Sequence, residues 1–160
     1  MKQNFNPEQV IGLLSTHEDM LSQLYRVYEN QFPNRPFWEN LAKNEIIHFQ
    51  WLQKLYQLAP EKKIFIDEEK FKTAAIQTSI EYLLRLINEA ASCSLVNALV
   101  LALDIEQAMI EKKYFEVFKT DSAEIQDIMK QLEKATLAHV YLVKKELEGV
   151  NLQIQSMNLA

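Results

Sequence analysis

Three glutamates and two histidines, Glu18, Glu45, His48, Glu106 and His139, stand where a helical chain would otherwise place apolar side chains. At spacings of three and four residues one stripe runs Ile11, Leu14, Glu18, Leu21, Tyr25, Tyr28, Phe32, and a second runs Trp38, Leu41, Glu45, His48, Leu52, Leu55. A third runs Leu95, Leu99, Ala102, Glu106, Met109, and a fourth Ile125, Met129, Leu132, Thr136, His139, Val143. Each is the buried face expected of an amphipathic helix, with polar groups at its middle. Glutamate is almost never buried without a partner, because desolvating a lone carboxylate is costly or keeps it protonated. Three carboxylates meeting at one level repel one another unless a cation lies among them, and a divalent metal meets that need. Glu45 and His48 sit three residues apart, which places their Cβ atoms about 5 to 6 Å apart, so both reach one ion at ~2.0 to 2.2 Å. Carboxylate with imidazole accommodates iron, manganese or zinc.

Rotating a stripe by one position would move its glutamate to the boundary. The spacing holds on both sides of Glu18 and Glu45, and less clearly around Glu106. For His48 and His139 the competing reading is a core histidine hydrogen-bonded to a neighbour. His17 reads as a boundary residue, Tyr25, Tyr28, Trp38 and Trp51 as packing aromatics, and Cys93 as an inert buried thiol. Lys112-Lys113 and Lys144-Lys145 read as solvated faces, with Lys113 able to compensate charge near the core.

The elements that must position these groups are helices. Two glycines and four prolines among 160 residues are far below the usual share of about 12%, and a sheet protein needs more turn residues. The first helix opens at Asn6-Pro7-Glu8 and runs to about Asn30, before the breaker Phe32-Pro33-Asn34-Arg35-Pro36. The second runs from Pro36 to about Leu58, where Ala59-Pro60 stops it, and the short loop makes the two antiparallel neighbours. Residues 61–67 form a connector, and Asp67 is placed to cap an accessory helix over roughly 68–91, with Phe71, Ile76, Ile80, Leu83, Leu84 and Ile87 on its apolar face. That face is expected to cover the other helices or to join a homodimer contact. Ser94 caps a helix over about 95–119, with one uninterrupted helix through the region as the alternative. Asp121-Ser122-Ala123-Glu124 has the form of a capping box opening a last helix that closes at Gly149. Residues 1–149 thus form a single all-α domain, a four-helix bundle with a long crossover, and 150–160 a loose tail.

Composition excludes several partners. The net charge is −5 with no basic stripe, so nucleic acid is a poor partner. One cysteine rules out an internal disulfide, a Cys-x-x-Cys redox motif and a four-thiolate metal site. The N-terminus MKQNFNPEQV lacks the apolar core of a signal peptide, and the charge-free stretch from Ala90 to Leu103 is too short to span a bilayer, so a cytoplasmic protein without membrane contact is expected.

Glu18 seven residues before Tyr25, the run Glu45-Ile46-Ile47-His48, Glu106 and the inward His139 resemble the ferritin-like superfamily of carboxylate di-iron proteins, most closely its rubrerythrin-like branch. The resemblance covers about residues 7–147. Leu41 through His48 matches Leu132 through His139 in spacing, and Glu18 to His48 spans 30 residues where Glu106 to His139 spans 33, as in a duplicated helix pair. Such sites take one Glu from each of two helices and a Glu-x-x-His pair from each of the other two. The resemblance implies Glu18 as a terminal ligand with His48, Glu106 as a terminal ligand with His139, Glu45 bridging, and Tyr25 hydrogen-bonded to a ligand carboxylate. It also implies a Glu at position 136, where this chain has Thr136. Glu133 lies one turn earlier, off the stripe. A single cysteine cannot build the rubredoxin-like module of rubrerythrins proper, so turnover implies an external electron donor. The expected function is that of a rubrerythrin-like protein binding one or two iron ions, with di-iron oxidase or peroxidase-like reduction of dioxygen or hydrogen peroxide in oxidative-stress defence. The alternatives are a non-redox metal-binding bundle and a structural or interaction bundle with a decayed site.

Overall fold

The computed structural model describes residues 5–159, and its helices are α1 (Pro7–Gln31), α2 (Pro36–Leu58), α3 (Thr73–Glu89), α4 (Leu95–Glu111) and α5 (Ala123–Leu159). The fold is all-α apart from one short strand pair. Residues 1–4, part of the stretch read for a signal peptide, and residue 160 lie outside the described residues.

Local chemistry sets the helix starts. Asn6 accepts from the Gln9 amide at 2.8 Å while its own amide donates to Gln9 Oε1 at 2.9 Å, a reciprocal cap with Pro7 as first helical residue. Ser94 accepts from the Asn97 amide at 3.2 Å and opens α4. Packing follows the apolar stripes. α1 lies along α2, α4 along α5, α2 also against α5, and α3 against α1. Every member of the four predicted stripes is buried except Phe32 and Leu95, which are half-buried. α3 turns Ile76, Leu83 and Leu86 inward with Ile80 and Ile87 half-buried, whereas Leu84, expected on the same apolar face, is 53% exposed.

Several expectations need correction. The connector holds strand β1 (Ile64–Ile66), which pairs antiparallel with β2 (Phe118–Thr120), Ile64 opposite Thr120 and Ile66 opposite Phe118. The predicted helix over 95–119 therefore ends at Glu111: Lys113 takes a left-handed φ of 57°, a single turn covers Tyr114–Glu116, and the chain continues into β2. Asp67 does not cap α3. Its backbone carbonyl and carboxylate hold the turn at Lys70 and Phe71, and its carboxylate meets Lys119 Nζ at 3.2 Å, tying that turn to β2. α3 then begins at Thr73, leaving Phe71 buried outside it.

The expected stop at Gly149 and the loose tail are absent as well. Gly149 has no positive φ, and α5 continues to Leu159. Glycine ends a helix when it takes the left-handed conformation, which Gly149 does not; Arg35 lies along this part of α5 and reaches Glu146 Oε1 at 2.7 Å. Among the described residues no helix is long and apolar enough to cross a membrane.

Candidate metal centre

The five sequence-selected residues meet. Glu18 comes from α1, Glu45 and His48 from α2, Glu106 from α4 and His139 from α5, and each is at most 2% exposed. Each helix delivers its polar group because that position lies on the same 3.6-residue face as the core side chains above and below it.

Glu45 occupies the middle. His48 Nδ1 lies 2.7 Å from Glu45 Oε2, and His139 Nδ1 lies 2.8 Å from Glu45 Oε1, so the carboxylate divides its oxygens between the two rings. Glu18 Oε2 flanks His48 Nδ1 at 3.8 Å, and Glu106 Oε1 flanks His139 Nδ1 at 3.3 Å. The imidazoles stack with centroids 5.1 Å apart. One ligand atom from each of Glu45, His48 and His139 fits within 4.8 Å of the others, a group able to hold a metal ion.

Of these contacts, that between His139 Nδ1 and Glu106 Oε1 is a hydrogen bond, and the others are proximity without alignment. Both Glu45 oxygens, His48 Nδ1, Glu18 Oε2 and Glu106 Oε2 are buried without an aligned partner. Buried carboxylate oxygens ordinarily find donors, and a cation shared among close but unaligned atoms satisfies them all at once. The donor set of carboxylate oxygen and imidazole nitrogen fits iron, manganese or zinc.

Without an ion the cluster neutralises itself with protons. Burial and the neighbouring Glu45 push the Glu18 carboxyl up to about 7. Burial pulls both histidines down, but the facing carboxylates outweigh it: Glu18 and Glu45 raise His48 to about 10, and Glu106 and Glu45 raise His139 to about 11.

The surrounding groups orient the cluster. The Tyr25 hydroxyl donates to Glu106 Oε1 at 2.7 Å, and the phenol is raised well above its ordinary range by burial and then by Glu106. Asn44 Nδ2 lies 3.4 Å from His139 Nε2, on the outer edge of that ring. Asn44, Ile47, Trp51 and Leu142 line a groove of about 280 Å³ that reaches His48 and His139 from the surface between α2 and α5. Thr136 stands at the level of the site with a buried, unpartnered hydroxyl, whereas Glu133 is half-buried and is not among the orphaned groups.

Three minor readings change. His17 is fully buried, not at a boundary: its Nε2 meets Ser79 Oγ at 2.9 Å, its ring meets the edge of Tyr114, and burial lowers its pKa. Both partners lie outside α1, so the periodicity of α1 carried no sign of them. Cys93 is half-buried, and Lys113 is solvent-facing beside Glu116 and offers the core no charge. Nothing in the sequence around Asn44 marks it, because its histidine partner belongs to α5.

No protein-family model and no curated protein matches the chain. Among solved structures, the fold is similar to that of a hypothetical protein from Methanococcus jannaschii DSM 2661, with a TM-score of 0.65 and 22% identity, covering 94% of this chain and 86% of that chain. At that identity the similarity is one of fold.

Proposed function

We propose that the chain is a carboxylate-bridged metal protein of ferritin-like arrangement, rubrerythrin-like in its ligands, that binds iron and reduces dioxygen or hydrogen peroxide in oxidative-stress defence. In this reading α1, α2, α4 and α5 form the bundle and α3 is the accessory helix of the crossover. The observation that carries the reading is the set of five buried ligand atoms, from three glutamates and one histidine, that lack aligned partners at one point between the helices.

The chain's residues divide the work. Glu18 with His48 and Glu106 with His139 hold opposite ends of the site, and Glu45, with an oxygen toward each histidine, joins them. When bound there, iron supplies one-electron redox chemistry with dioxygen or peroxide. Tyr25 keeps Glu106 in place and supplies a proton donor at its Oε1. The groove beside Trp51 admits small molecules to the histidine side, and its apolar wall keeps bulk water sparse.

Thr136 favours a second reading, a bundle that binds one ion without redox turnover, since a neutral hydroxyl stands where a second bridging carboxylate would complete a pair. An electron donor from outside the chain and a homodimer belong to the proposal, and size-exclusion with light scattering reads the latter. The deciding experiment is elemental analysis of protein purified without added metal, followed by anaerobic Fe(II) titration and exposure to peroxide. Bound iron oxidised in step with peroxide consumption supports the redox reading. A tightly bound, redox-silent ion supports the second, and folded protein that takes up no metal sinks both.

A further inference from the structure

A row of buried aromatic rings leaves the cluster on the Glu106 side. Tyr25, whose hydroxyl is bonded to Glu106, has its ring centroid 5.8 Å from that of Trp38, and Trp38 lies 4.8 Å from Tyr28. All three are fully buried. Tyr28 lines a cavity of about 400 Å³ at the α3–α4 junction, together with Cys93, Asn97, Leu86 and Val100.

Two features separate this row from ordinary core packing. Buried tyrosine and tryptophan usually find a partner for their polar atom, yet Tyr28 Oη and Trp38 Nε1 have none within the protein. At Tyr28, phenylalanine would fill nearly the same space without that cost. What tyrosine and tryptophan add is a low oxidation potential, and rings in near contact exchange single electrons readily. The row is also continuous, from a carboxylate of the cluster to a cavity that holds the chain's one thiol.

We propose that Tyr25, Trp38 and Tyr28 form a single-electron path between the metal site and a donor site in the Cys93 cavity, where a small phenolic reductant of the hydroquinone class is oxidised. The proposal rests on the redox reading of the cluster. The cavity suits such a donor, with apolar walls at Leu86 and Val100, a hydrogen-bonding amide at Asn97, and the Tyr28 ring beneath it. For each electron carried, the donor loses one electron and releases its phenol proton to solvent, and the oxidised metal is reduced by one unit. Two donor radicals then disproportionate to one quinone and one hydroquinone. The three side chains end as they began: Tyr25 lends its proton to Glu106 along the existing hydrogen bond and recovers it, and Trp38 retains its N–H proton because no acceptor adjoins it.

The path is testable without metal. Cys93 is the one thiol of the chain, so a ruthenium photosensitiser attaches there and nowhere else. Flash oxidation of metal-free labelled protein should produce a tryptophan radical visible by transient absorption. Trp38→Phe should abolish it, Trp51→Phe should leave it, and Tyr28→Phe should delay it, with thermal melts confirming that each variant is folded. A radical that persists in Trp38→Phe overturns the path. In a second arm, iron-loaded protein is given peroxide and hydroquinone. Trp38→Phe should bind iron as the parent does but lose hydroquinone oxidation, and unchanged oxidation overturns the proposal. Protein that carries the radical along the row but takes up no iron overturns the redox reading and the far end of the path with it. Full iron uptake with unaltered photochemistry in the variants overturns the path alone.

Discussion

Glu45 Oε1 lies 2.8 Å from His139 Nδ1, and this contact joins α2 to α5 through two buried ionisable groups that are not aligned for a hydrogen bond. In the metal-free protein Glu45 offsets the charge of the two protonated histidines it faces, while raising the neighbouring Glu18 carboxyl. Glu45→Gln should destabilise the metal-free protein by about 3 kcal/mol, because removing one partner of a buried charge pair leaves the facing charge uncompensated. The same substitution should weaken metal binding by more than the ~10- to 100-fold that loss of an outer-shell partner costs. Melting curves with and without chelator read the first effect and a competitive metal titration the second. A gain of stability in the metal-free state would show that Glu45 is an uncompensated charge there and that the histidines do not rely on it.

Metal loading should release protons. Free of metal, His48 and His139 are held protonated by the facing carboxylates, at about 10 and about 11. A metal ligand must be the neutral imidazole, so proton and ion compete for the same nitrogen. The competition weakens as pH rises, and affinity should climb from about pH 6 to pH 8. Titration calorimetry in buffers of different ionisation enthalpy counts the protons. A pH-independent affinity with no proton release would mean that the ion does not bind at the histidines.

The convergence of the five residues was legible because each lies within a long helix whose 3.6-residue period fixes which side chains share a face. Glu18 and His139 needed no tertiary information beyond the expectation that apolar stripes meet. The strand pair was not legible, because Ile64–Ile66 and Phe118–Thr120 are three residues each and their pairing depends on bringing two distant connectors together. Gly149 misled for a related reason. Its role depends on backbone conformation, which the residue type alone does not fix, and Gly149 keeps a helical backbone. The burial of His17 similarly required α3, whose docking side is not written in α1.

The strand pair should be sensitive to acid through Asp67. Burial raises its carboxyl, but Lys119 and the Lys70 backbone amide outweigh burial and hold it below the ordinary range. The folded state then binds this proton more weakly than the unfolded state, whose value is about 3.9, so the stabilisation is present above that pH and is lost as pH falls through the folded value. Asp67→Asn should lower the melting temperature at neutral pH, and the gap from the parent should close as pH falls below about 3.9. Lys119→Met should behave alike. A gap that stays constant with pH would assign the effect to packing instead.

Under the proposed metal-binding reading, Thr136 is the position that limits the number of ions. It aligns with Glu45 in the repeat, is buried at the level of the site, and its hydroxyl has no partner. In the metal-bound state Glu18, Glu45 and Glu106 set three negative charges against the four positive charges of two divalent ions, and a carboxylate at position 136 would bring the balance to zero. Thr136→Glu should therefore strengthen binding of a second ion, and it should destabilise the metal-free protein by adding another buried acid to a cluster already short of donors. Iron titration gives the stoichiometry, Mössbauer spectroscopy of the oxidised protein detects a coupled pair, and chelator melts give the stability. If the parent already binds two coupled irons tightly and the substitution alters neither count nor coupling, Thr136 is not the limiting position. A water molecule or Glu133 would then complete the second ion's shell, and Glu133→Gln would be the variant that removes it.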